Sequence, residues 1–112
     1  MPAVKSLPPD LLPDSHLLQP KHHEFRQRLR RYLADHVEPV WAEYEAHERF
    51  PRDILQDMAK EGFLGIPFPV EYGGMGLDSL SLAMAIEEFS RAWGSLGIIM
   101  AAHIGLGSSP IY

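Results

Sequence analysis

Between Phe25 and Tyr44 the apolar residues Phe25, Leu29, Tyr32, Leu33, Val37, Val40, Trp41 and Tyr44 recur at steps of three and four, which gathers them on one face of an α-helix. Pro20 suits the first turn of that helix, where its missing N–H would be unpaired anyway. Arg26, Arg30, Arg31, Glu38 and Glu45 fall mostly on other faces. Pro39 lies inside the pattern and frees the carbonyl of Asp35, so a kink or a junction of two helices is predicted there. A further helix starts at Pro51 and carries Ile54, Leu55 and Met58 on one side. It stops at Gly62, which can take the left-handed conformation of a helix end, and Phe63 is expected to fold back onto Met58.

Gly65 to Leu77 includes Pro67, Pro69, Gly73, Gly74 and Gly76, cannot continue a helix, and reads as an ordered loop. Asp78 or Ser79 caps the next helix, which runs to about Gly94 and is apolar over much of its circumference through Leu80, Leu82, Ala83, Met84, Ala85, Ile86 and Phe89. Ser95 is placed to cap a last helix, Leu96 to about Ile104, whose only polar side chain is His103. The predicted fold class is all-α, without internal repeats. Helices apolar nearly all round need more cover than two amphipathic partners supply. The mostly apolar stretch ending Pro110-Ile111-Tyr112 lacks polar fraying, which suggests a truncated domain whose chain continues.

The 112 residues, 46% of them hydrophobic, suffice for one domain with a real core. The formal charge of −5, with basic and acidic residues interspersed, offers no basic stripe for nucleic acid. The absence of cysteine removes disulfides and thiolate chemistry. Residues 1–19 read as a flexible leader in which Pro2, Pro8, Pro9 and Pro13 interrupt any signal-peptide core, and Asp10 and Asp14 argue against a mitochondrial transit peptide. The domain proper is residues 20–112. The most apolar window, Leu96 to Leu106, is short of the roughly 20 residues of a membrane span. A soluble, cytoplasmic protein is expected.

Candidate chemistry is sparse. Tyr72-Gly73-Gly74-Met75-Gly76 lacks the strand and spacing of a dinucleotide fingerprint and the Lys-Ser/Thr of a P-loop, so its glycines are assigned to tight turns. His22 and His23 are adjacent, point in different directions on a helix, and read as solvated rather than as metal ligands. His36 and His47 have no third ligand in step with them. Glu87 and Glu88 are expected at an exposed helix edge. His103, alone on an apolar helix, is by default a satisfied core histidine, with a site role kept open.

Four segments in order carry a more specific signal: Phe50-Pro51; Glu61-Gly62-Phe63-Leu64-Gly65-Ile66-Pro67; Pro69-Val70-Glu71-Tyr72-Gly73-Gly74-Met75-Gly76-Leu77; and Glu87-Glu88-Phe89-Ser90-Arg91 followed by Gly94-Ser95. This succession closely resembles the amino-terminal helical domain of the acyl-CoA dehydrogenase family, from about Lys21 to Tyr112. The resemblance implies an enzyme with a middle β-barrel-like domain and a carboxy-terminal four-helix bundle, holding FAD between those two parts and a neighbouring subunit. It implies removal of a proton α to a thioester by a carboxylate, with the β-hydride passing to the flavin to leave a trans-2-enoyl-CoA. That base belongs to a later segment, so no acid here is a catalytic candidate, and Glu87 and Glu88 are framework residues.

The resemblance also implies an acyl-CoA substrate, a homo-oligomer (dimer or tetramer) and electron-transfer flavoprotein or a similar acceptor, although acyl-CoA oxidases share the architecture. The family's corresponding helix borders the acyl cavity, which makes Ile99, Met100, His103 and Leu106 the substrate-binding candidates. Ile99 and His103, four apart, share a helical face, with Met100 beside them and Leu106 one turn beyond. Phe89 stands where leucine is common in the family, and Trp93 where a small residue or cysteine is common, so altered packing is expected near the helix joint. The competing reading is a non-catalytic helical interaction module or remnant. On the enzyme reading, this piece alone is expected to lack both tight FAD binding and activity.

Overall fold

A computed structural model describes residues 18–112, and the leader reading of residues 1–17 lies outside them. The elements are α1 (Pro20–His36), α2 (Trp41–Ala46), α3 (Arg52–Lys60), two 3-10 turns (Phe63–Gly65 and Val70–Tyr72), α4 (Ser79–Ala92) and α5 (Gly94–Ala101). A wide π-helical segment (Ala102–Ser108) and a last turn, α6 (Ser109–Ile111), extend α5 without a break. No strand occurs among the described residues, in keeping with the all-α expectation.

The local signals act as predicted at most boundaries. Pro20 occupies the first turn of α1, and the chain breaks between His36 and Trp41, around Pro39. Pro51 caps α3, and Gly62 follows that helix with φ 89°, a conformation open mainly to glycine. Asp78 caps α4 by accepting the Ser81 N–H at 2.8 Å.

The core gathers Phe25, Leu29, Tyr32, Leu33 and Val37 from α1, Ile54 and Met58 from α3, and Phe63 and Ile66 beyond it. Ala85 and Phe89 of α4 meet them, followed by Trp93, Leu96, Met100 and Ile104. Phe63 is its hub, with ring centroids 5.0 Å from Tyr32, 5.8 Å from Phe89 and 6.5 Å from Phe25. Burial nearby raises the Tyr32 hydroxyl pKa far above its ordinary value, reinforced by its 2.7 Å bond to the Asp57 carboxylate.

Three expectations are corrected here. Trp41 leaves the buried face because the helix is interrupted before it, and it is exposed. α4 is two-sided: Ser81, Met84, Ala85, Glu88 and Phe89 are buried, whereas Ala83 is exposed and Leu80, Leu82 and Ile86 are half-buried. The last helix runs past Ile104 to Ile111, and this 18-residue stretch is by length and composition apolar enough to cross a membrane. One side of it nevertheless packs as a core helix, through Leu96, Gly97, Met100 and Ile104.

Candidate functional site

The joint between α4 and α5 orients the helix that carries all four substrate-binding candidates. Trp93 there is extended and buried, with its ring 5.8 Å from that of Tyr44. Its indole N–H donates to Glu45 Oε1 at 2.7 Å, and the Ser95 hydroxyl donates to the same oxygen at 2.7 Å. Ser95 therefore does not act as the predicted cap. Instead Glu45, from α2, brings a negative charge to the N-terminus of α5, where the helix dipole favours one. The bonds from Ser95 and Trp93 hold the Glu45 carboxyl below the usual carboxylate range. Gly97 lets α5 lie directly against α4, since a Cβ there would sit 2.8 Å from Ser90 Cα.

Two polar residues read as solvated are buried. Glu88 is 3% exposed and accepts from Arg30 Nε at 3.1 Å and Nη2 at 3.2 Å, with Arg26 Nε at 3.6 Å. Glu87 alone keeps the predicted exposed edge, 3.4 Å from Arg91. His22 is buried while His23 is exposed. Its Nδ1 accepts the Gln19 N–H at 2.9 Å, which leaves Nε2–H to donate to the Asp78 carboxylate at 3.0 Å. The bond from the Ser81 backbone, with help from His22 and Lys21, holds the Asp78 carboxyl well below its ordinary range. The signal for His22 was its place three residues into the helix, where capping boxes carry a side chain that reaches back to the cap. For Glu88 it was the 81, 84, 85, 88 spacing, which sets an acid within a buried stripe.

The glycine loop accounts for its own amides. Gly74 N–H donates to Pro69 O, Met75 to Gly65 O, Gly76 to Phe68 O and Leu77 to Ile66 O, at 2.8 to 3.0 Å. A Cβ on Gly74 would collide with the Phe68 carbonyl and lie 2.9 Å from Gly65 O. With these N–H groups engaged by loop carbonyls, the loop has no cradle for a phosphate. A flavin pyrophosphate does not fit here, and the tight-turn assignment accounts for the glycines.

Of the four candidates, Met100 points into the core, wholly buried. Ile99 is half-buried and His103 is exposed, so His103 is not the packed core histidine of the default reading. Leu106 is 80% exposed. Beyond them, an apolar cavity of about 290 Å³ lies between the glycine loop and the chain's last turn, with Leu64, Phe68, Tyr72, Ile111 and Tyr112 in its walls. Tyr112 packs its ring 5.6 Å from Phe68 and 6.0 Å from Tyr72.

An all-helical domain with an internally bonded glycine loop and an apolar helix exposed along one side is thus defined. Residues 19–112 match the acyl-CoA dehydrogenase N-terminal domain, and the chain belongs to that family. Similar proteins include a short-chain specific acyl-CoA dehydrogenase of Clostridium acetobutylicum, 43% identical over 77% of this chain and 23% of the relative. A probable acyl-CoA dehydrogenase of Bacillus subtilis is 42% identical over 74% of this chain and 21% of its own length. A 3-(aryl)acrylate reductase of Clostridium sporogenes is 37% identical over 80% and 24% respectively. The chain spans less than a quarter of the length of these curated relatives. No solved structure gives a significant match.

Proposed function

We propose that this chain is the amino-terminal part of an FAD-dependent acyl-CoA dehydrogenase that oxidises an acyl-CoA thioester to the 2-enoyl-CoA. The outer side of α5 and of the π-helical segment that extends it, at Ile99 and His103, borders the acyl chain in this reading. The intact enzyme acts in the cytoplasm as a homo-oligomer and passes electrons to electron-transfer flavoprotein or a similar carrier. The observation that carries the proposal is a helix with no charged side chain from Gly94 to Ile111, packed on one side and apolar along much of the other, inside a domain of this family. Flavin supplies the hydride acceptor when bound. The residues of the glycine loop do not hold it, so the binding groups are assigned to the rest of the enzyme.

The test uses the full-length, flavin-loaded protein and an artificial electron acceptor. Turnover of acyl-CoA with formation of the 2-enoyl product is expected. Ile99→Gly and His103→Ala are expected to change the ratio of kcat/KM between short and long acyl-CoAs by about tenfold or more per well-matched carbon, the worth of a methylene in an apolar pocket. An unchanged chain-length profile in both variants, with flavin retained, would exclude this face from the pocket. Absence of any acyl-CoA oxidation would sink the activity itself.

A further inference from the structure

A single residue separates the two apolar helices. Trp93 closes α4, with its N–H 2.9 Å from the Phe89 carbonyl, and opens α5, its own carbonyl accepting the Leu96 N–H at 3.0 Å and the Gly97 N–H at 3.2 Å. Its backbone is extended, with φ −160° and ψ 109°, so the two torsions of this one residue set the angle at which α5 leaves α4. Trp93 is 5% exposed, and an indole N–H buried without an acceptor is costly. The acceptor is Glu45 Oε1 at 2.7 Å, from a residue 48 positions earlier.

α2 presents this carboxylate from a short helix with no fully buried side chain of its own. Its end is fixed by a turn in which the Arg49 N–H bonds the Tyr44 carbonyl at 2.9 Å and the Glu48 N–H bonds the Glu45 carbonyl at 3.1 Å. That pattern needs a left-handed residue, a place usually given to glycine. Glu48 takes it with φ 50°, alone in this among the described residues that are not glycine. Strain of this kind persists where the surroundings over-determine the conformation. Here the Tyr44 ring lies 5.8 Å from that of Trp93, and the Arg49 guanidinium lies over Tyr44 at 4.9 Å. Tyr44 and Glu45 reach the joint together, one against the indole ring and the other at its N–H.

α5 has no acid in its first turn and no side-chain bond at its cap, so the negative charge favoured at its N-terminus comes from α2. Ser95, in that first turn, gives its hydroxyl to the same Glu45 oxygen at 2.7 Å. One oxygen therefore holds the residue before the helix and a residue within it, which fixes direction as well as starting point. Leu96, Gly97 and Met100 then set how deeply the inner side sits in the core. Ile99 lies about 9 Å along the axis from Trp93, so a tilt of about 10° at the joint carries it sideways by about 1.5 Å. A displacement of about 1 Å is enough to matter for a positioned substrate.

We propose that Glu45 is a positioning residue for substrate selection: by holding the Trp93 N–H and the Ser95 hydroxyl on one oxygen, it aims α5, and with it Ile99, at the acyl chain. The inference rests on the acyl-facing role proposed above for Ile99. Glu45 acts through Trp93 rather than on the substrate, so its influence depends on the indole N–H being there.

The experiment compares kcat/KM for a series of straight-chain acyl-CoAs in full-length, flavin-loaded variants, with flavin absorbance as the check of folding. Glu45→Ala is expected to change the ratio of kcat/KM between short and long chains by about tenfold, the effect of one misplaced methylene. Glu45→Met, which keeps the bulk but offers no oxygen, makes the same comparison should Glu45→Ala lose its flavin. Glu45→Gln keeps an acceptor oxygen and is expected to keep the native profile. Trp93→Phe has no indole N–H to satisfy, so adding Glu45→Ala to it is expected to shift the profile by no more than about twofold. The fluorescence of Trp93, taken as the difference from Trp93→Phe, is expected to move to longer wavelength in Glu45→Ala and not in Glu45→Gln. If Glu45→Ala lowers Tm but leaves the profile unchanged while Ile99→Gly shifts it, the positioning role is overturned and the acyl-facing reading survives. Equal shifts from Glu45→Gln and Glu45→Ala, or a full shift from Glu45→Ala in the Trp93→Phe background, overturn it as well. If Ile99→Gly, His103→Ala and Glu45→Ala all leave the profile unchanged, both fall together.

Discussion

Two apolar helices meet at Trp93 and treat their polar positions in opposite ways. α4 turns Met84, Ala85 and Phe89 inward, takes Ser81 and Glu88 in with them, and leaves Glu87 and Arg91 to pair outside. Glu88 has Arg30 within hydrogen-bonding distance, so the burial of that charge is compensated within the domain. The helix from Gly94 to Ile111 has the same kind of inner face but an outer side carrying Ile98, Leu106 and Ile111, each more than two-thirds exposed. α4 is explained by its neighbours alone. The second helix is explained on one side only, and its other side is where the proposed acyl-CoA chemistry places its contacts.

The sharpest way to test this contrast is to remove inner side chains and compare them with outer ones by chemical denaturation. Phe63→Ala deletes a wholly buried ring at the centre of the core and is expected to destabilise the chain by about 3–5 kcal/mol. Ile98→Ser on the outer side is expected to change stability by less than about 0.5 kcal/mol. Equal losses for the two would show that the outer side is packed after all.

A smaller effect separates the neighbouring acids. Glu88→Ala removes bonds to a charged partner and is expected to lose about 1.5–3 kcal/mol, whereas Glu87→Ala, which breaks only a surface pair, is expected to lose at most about 0.5 kcal/mol. Similar losses from both would refute the burial contrast.

The smallest effect concerns the entrance of α4. Asp78→Ala is expected to lose about 1 kcal/mol at neutral pH, the usual worth of a helix cap. The folded carboxyl is depressed, so its contribution is complete above the unfolded value of about 3.9 and declines as the pH falls through the lower folded value. Denaturation curves for the two proteins are therefore expected to converge on acidification below about pH 4. A gap that widens there would contradict the assignment.

Much of this arrangement is legible in the chain because its signals are local. Pro20, Pro39, Pro51, Gly62 and Asp78 act through their own backbone or the next turn, and they bound the helices where a sequence reader puts them. What was missed depends on partners far along the chain. His22 is buried because Asp78 stands 56 residues later, and Glu88 because Arg30 stands 58 residues earlier. Ser95 has the chemistry of a cap, yet a carboxylate 50 residues away takes its hydroxyl. The π-helical segment lies between these cases: Gly105, Gly107 and Pro110 announce trouble for a regular helix, but the bonds that the Ser109 N–H and hydroxyl give to the Ile104 carbonyl, five residues back, depend on geometry. For the candidate site, the apolar helix was visible in the pattern, while the direction taken by Leu106 was not.

The single carboxylate oxygen shared by Trp93 and Ser95 has an evolutionary consequence. A relative with a small residue at position 93 has no indole to offer Glu45, and loses both the ring that fills the joint and one of two donors to that oxygen. The tryptophan and the acid are therefore constrained as a pair: drift at one position changes which substitutions the other tolerates. Lineages that carry Trp93 are expected to retain an acceptor at position 45, and those that have lost the tryptophan are expected to vary there more freely.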